Sequence, residues 1–98
     1  MIPTIIYIKD TNAIVDYQFD WLDWLGTDTI NTSTLTVASG LTLGNGSNGA
    51  PAPSNTTTKA TYWLLGGLVG NDYLVTNRIV TAGGRTAERS VLIRVRET

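Results

Sequence analysis

Residues 15–26, VDYQFDWLDWLG, change period in mid-course. Val15, Tyr17, Phe19 and Trp21 alternate with Asp16, Gln18 and Asp20, the period of two expected of a strand with one wet face. From Trp21 the apolar spacing becomes i, i+3, i+4 through Trp24 and Leu25, which predicts one helical turn across an end of the sheet, stopped by Gly26. Trp21 is expected inside; Trp24 is left open between the core and an interface. The aspartates do not read as an acid/base pair. Asp16 and Asp20 lie four strand positions apart, roughly 13 Å, whereas the paired carboxylates of glycoside hydrolysis sit about 5 to 9 Å apart. Asp20, Asp23 and Asp28 lack the alternating ligands and central glycine of a calcium loop. Asp20 is instead placed to accept the free N–H groups of the turn.

The rest of the chain extends this β reading. Its 98 residues allow one domain, residues 1–98, and one core. Charged residues make up 15%, below the roughly 25% usual in soluble domains. Threonine, serine, asparagine and glycine fill the remaining surface, a composition suited to strands and turns. With no cysteine and no histidine, disulfides, thiolate zinc sites and every histidine-based catalytic arrangement are absent. No apolar stretch approaches the roughly 20 residues of a membrane span, and MIPTIIYIKD lacks a basic start and a long apolar run. A soluble protein made in the cytoplasm is expected.

TIIYIK begins a first strand, closed by DTNA. TINTSTLTV reads as another, and Leu41 and Leu43 as a short one. Residues 44–55, rich in Gly, Ser, Asn and Pro, read as a flexible loop. In ATYWLLGG, Ala60, Tyr62 and Leu64 share one face and Thr61, Trp63 and Leu65 the other, so one of two apolar faces is expected to meet something beyond the core. Tyr73, Val75 and Ile79 share a parity; Val91, Ile93 and Val95 face inward, with Ser90, Arg94 and Arg96 outward. AGGRTA between these strands is a hairpin turn in which Gly83 and Gly84 are free to take positive φ. GGLVGNDYLV has the arrangement of a tyrosine corner centred on Tyr73. About seven short strands and one helical turn result, an all-β, immunoglobulin-like Greek-key β-sandwich.

Charge is split along the chain. Residues 1–72 carry two lysines against six aspartates, −4, and residues 73–98 carry five arginines against two glutamates, +3. Either the two parts pair within one sandwich, or they form acidic and basic sides that meet copies or partners. Five arginines on an acidic chain with few neighbouring aromatics do not make a nucleic-acid site. GGLVG is followed by no lysine and threonine pair, so it is no phosphate loop, and no cofactor is implied.

LDWLGTDTI, TYWLLGG and NDYLVTNRIVTAGGRTAERSVLIRVRE occur in an order that resembles the phage fiber-tail adaptor family, small virion proteins of tailed bacteriophages. The likeness is most specific over TNRIVTAGGRTAERS, residues 76–90. It implies a structural, non-enzymatic component of the virion that contacts tail, fibre, portal or capsid proteins and is oligomeric in the particle. A capsid decoration protein, or a receptor- or carbohydrate-binding module stacking sugars on Trp24 or Trp63, is the alternative. Partner contacts are expected at Trp24, Trp63, Arg85 and Arg89, with the two arginines at the last hairpin and Trp24 at the opposite or an adjacent end.

Overall fold

Tyr73, Val75, Asn77 and Ile79 turn inward along β7 (Asp72–Thr81), and Val91, Ile93 and Val95 do the same along β8 (Thr86–Arg96). These two strands form the long antiparallel hairpin around which the fold is built. The computed structural model describes residues 5–97. Before the hairpin come β1 (Ile6–Asp10), β2 (Val15–Asp20), α1 (Leu22–Leu25), β3 (Ile30–Val37), β4 (Leu41–Leu43), β5 (Ser54–Asn55) and β6 (Lys59–Gly66).

Two sheets result. One has the order β1-β8-β7-β3, with β1 parallel to β8 and the other pairs antiparallel; the second has the order β2-β6-β4, with β5 also pairing β6. Among the described residues eight strands thus stand where about seven were expected. The addition is β5, whose Ser54 and Asn55 pair with Thr61 and Ala60 at the end of the polar loop. Within that loop Gly46 donates to the Ala50 carbonyl at 2.8 Å, and Ala50 is buried.

The core lies between the sheets. Phe19, Tyr62 and Leu64 from one meet Val75, Ile79 and Ile93 from the other. A file of rings runs through it: Tyr7 to Tyr17 at 5.0 Å, Tyr17 to Tyr62 at 5.8 Å, and Tyr62 to Phe19 at 5.4 Å between centroids. Offset and tilted rings at such spacings add to the burial of their apolar area. Burial pushes the Tyr62 phenol above its usual range, and its hydroxyl finds no partner among the described residues.

The Tyr73 hydroxyl accepts the Leu68 N–H at 2.9 Å, the bond a tyrosine corner requires. The corner depends on Gly67. With φ +90, a Cβ on Gly67 would lie 2.7 Å from Val95 Cγ2 and 3.4 Å from the Tyr73 ring. Beside it Lys9 is buried, donating from Nζ to the carbonyls of Asp10 at 2.8 Å and Gly66 at 2.9 Å, so an ammonium ties β1 to the end of β6. Burial lowers the Lys9 pKa from its usual value, with the nearby Asp10 charge opposing the change.

Ser90, expected outward, lies on the outer parity but is buried, its hydroxyl 2.8 Å from that of Thr76 on the next strand. Small paired hydroxyls sit low on a sheet surface and are covered by their longer neighbours.

Candidate functional site

The end of the sandwich where α1 meets the β7–β8 hairpin gathers most of the residues singled out from sequence. The Asp20 carboxylate at the end of β2 accepts the Leu22 N–H at 3.0 Å, while the Trp21 N–H donates to the Thr58 carbonyl at 2.9 Å. The turn closes as Leu25 N–H donates to Trp21 O at 2.9 Å and Gly26 N–H to Leu22 O at 3.2 Å. One turn buries Trp21 and Leu25, leaves Trp24 half-buried, and exposes Leu22 and Asp23.

Trp21 is held by a buried polar network. Its indole N–H donates to Asn77 Oδ1 at 2.8 Å, and Asn77 Nδ2 donates to Ser33 Oγ at 2.8 Å and to the Thr34 carbonyl at 3.2 Å. Asn77 thereby joins α1's neighbour to β3 across the sandwich, in surroundings where an unmet donor is costly. Arg89 faces inward opposite Asn77 in the β7–β8 register, lies over the Trp21 ring at 4.3 Å, and donates from Nη1 to the Asp20 carbonyl at 2.9 Å.

The second indole repeats the arrangement nearer the solvent. Trp24 meets Trp21 edge-on, with centroids 5.5 Å apart and planes at 73°, and the Arg85 guanidinium lies over Trp24 at 4.2 Å. Arg85 is steered there by two bonds, from Nε to Asp28 Oδ2 at 3.1 Å and from Nη2 to the Leu25 carbonyl at 2.9 Å. The result is two guanidiniums on two indoles, a geometry with cation–π attraction and little rotamer freedom left to lose.

Asp28 fixes the hairpin to the turn. Its Oδ1 accepts the N–H groups of Thr29 at 2.9 Å and Gly83 at 3.0 Å. These bonds hold its carboxyl down at about 2; the hydroxyl of Thr81 contributes most, followed by the Thr29 N–H, with the Gly83 N–H and Arg85 adding less. Gly83 is needed for proximity: a Cβ there would lie 2.9 Å from Asp28 Oδ2. Of the two hairpin glycines free to take positive φ, Gly84 does so, at +88, and the turn closes from Gly84 N–H to Thr81 O with that single left-handed position.

The four expected contact residues thus divide. Trp24, Arg85 and Arg89 come together at one end, where the sequence had suggested that Trp24 and the arginines occupy different ends; α1 and the hairpin are distant in the chain, and Asp28 clamps them together. Trp63 lies apart, half-buried on the outer parity of β6 and opposite Asp16 of β2. The chain's charge asymmetry is partly resolved by ion pairs between its two parts, Arg85 with Asp28 and Arg94 with Asp72, each at 3.1 Å.

Sequence reasoning missed Asn77, and it weighed Asp28 only as a calcium ligand and not as the bond between turn and hairpin. Asn77 carried a signal, as a polar residue at the inward parity between Val75 and Ile79; Asp28 carried none beyond its place before a strand. Among the described residues, no three acidic side chains converge as a metal ion would need. What this end offers is a rigid surface of indole, guanidinium and the exposed Leu22, the residue types over-represented where proteins grip one another being tryptophan and arginine.

No curated protein matches this chain. One family model does, over residues 9–94, a span that runs from the buried Lys9 to the Arg94 ion pair and takes in α1, the Asp28 clamp and the tyrosine corner. The family is described as podophage GP4 fiber-tail adaptor protein gp77, and the chain belongs to it.

Proposed function

We propose that this protein is a non-enzymatic structural component of a tailed-phage particle that joins fibre and tail by protein–protein contact, using the end of the sandwich built from α1 and the last hairpin. The observation that carries this reading is the stacking of Arg85 on Trp24 and Arg89 on Trp21 within a family whose description is that of an adaptor. A partner docking there meets anchors that are already ordered, so little side-chain freedom is lost on binding. Leu22, half exposed beside them, adds apolar area to the contact. The partners are other virion proteins, of tail, fibre, portal or capsid, and the protein's place is the virion.

The arrangement favours this over sugar binding. A pyranose stacks on a bare ring face, and one face of Trp24 is taken by Arg85. Particles assembled with Leu22→Glu or Trp24→Ala protein test the proposal: Leu22→Glu is expected to keep the wild-type melting profile to within a few degrees, Trp24→Ala to melt lower because it removes the ring packed on Trp21, and the copy number of both on purified particles, read by quantitative mass spectrometry, to fall. Normal incorporation of both, or binding of the isolated protein to host cells that is abolished by Trp24→Ala, would count against it.

A further inference from the structure

A second surface lies at the other flank of the larger sheet. Strand β1 is its edge, and among the described residues nothing pairs with β1 on the side away from β8. Its outward side chains, Ile6 and Ile8, are 51% and 63% exposed, high values for isoleucine. The register carries the apolar surface inward: Ile6 lies beside Leu92, and Leu92 beside Leu74, which is 39% exposed. The adjoining row is Ile8, Arg94 and Asp72, where the two charges form an ion pair with each other. Lys9 points into the sandwich and places no charge at the edge.

The backbone of this edge is self-complementary. Leu92 N–H donates to the Ile5 carbonyl at 3.0 Å, and in a parallel ladder the residues facing the partner strand alternate, so the N–H and C=O groups of Ile6 and Ile8 point to the open side. A two-fold axis beside Tyr7 would set Ile6 of one copy against Ile8 of the other as a hydrogen-bonded antiparallel pair, and Ile8 against Ile6. Each apolar row of Leu74, Leu92 and Ile6 would then reach across the junction to Ile8 of the second copy, so that the four isoleucines meet in one patch with a leucine on either side. The two Arg94 residues would stand three strand spacings apart, roughly 14 Å, beyond the roughly 8 Å over which exposed charges act at physiological salt. Within the rows that carry the isoleucines the charges, Arg94 and Asp72, are paired with each other, and Asp10 lies at the far end of β1 beside Arg96 in the register.

We infer that this edge is a self-association surface: two copies of the chain pair antiparallel through β1, joining their larger sheets into one. The inference is independent of the adaptor contact, which lies on α1 and the hairpin. With only five residues a side in β1, the dimer is expected to dissociate in the micromolar range.

Sedimentation equilibrium of the full chain, from about 1 to 100 µM, is expected to show a reversible monomer and dimer, and Ile8→Lys to weaken the association at least about tenfold with an unchanged melting curve. Register is tested by mixing Ile6→Cys with Ile8→Cys protein. The chain has no cysteine of its own, and hydrogen-bonded antiparallel neighbours sit about 5.5 Å apart at Cα, so the mixed disulfide should form faster than either variant links to itself. A monomer throughout the concentration range, a dimer indifferent to Ile8→Lys, or faster linkage within one variant would overturn the inference. So would capture of a foreign strand from a tail protein at β1 in place of a second copy.

Discussion

Asn77 and Tyr62 are both polar groups in the core, and the structure treats them oppositely. Asn77 meets three partners; removing it by Asn77→Leu leaves the Trp21 indole N–H without an acceptor in a buried place, at a cost of about 1 to 3 kcal/mol. Urea unfolding should show that loss as a lower midpoint with an unchanged slope. The Tyr62 hydroxyl meets none of the described residues, so Tyr62→Phe should leave stability unchanged or raise it by up to about 1 kcal/mol. Tyr73→Phe is the contrasting control, since it deletes the bond to Leu68 and should cost about 1 kcal/mol. That Asn77 sits inward could be read from alternation along its strand. Its bonding to Trp21 and Ser33 could not, because local periodicity gives a face and not the residue met across the core.

Among the elements, β2, the hairpin and α1 were legible because each carries its own period or turn chemistry. β5 was hidden: two polar residues have no period, and only the neighbouring edge of β6 makes them a strand. The hairpin's docking onto α1 was likewise hidden, being set by one carboxylate. Asp28 titrates at about 2 in the folded chain, below its ordinary 3.8. A carboxylate with a depressed folded pKa contributes stability that is present above the unfolded value and lost as pH falls through the folded one. The wild-type protein should therefore lose stability between pH 3.8 and about 2, and Asp28→Asn should flatten that part of the profile while lowering stability at neutral pH. Urea midpoints taken across this window measure both effects. Gly67→Ala tests the corner in the same manner: strain at φ +90 and contact with Val95 should cost about 1 to 3 kcal/mol.

For the molecule as a whole, the two ends of the described chain lie in one sheet, since β1 adds to the last hairpin alongside β8. The composition indicated a two-sheet protein; it gave no hint that the first strand runs parallel to the last, because strand order depends on pairings remote in sequence. This order governs how the protein is made. On the ribosome, the isoleucines of β1 emerge early and have no strand to lie against until Leu92 and Ile93 have followed them. Such remote pairing makes for slow closure of the sheet, and an unpaired apolar strand is prone to join a neighbouring chain in the interval. Chains whose translation stops before β8 should accumulate as insoluble material or as chaperone-bound clients. Completion of the last strand thus sets the moment at which each copy closes its first sheet and covers the inner face of β1.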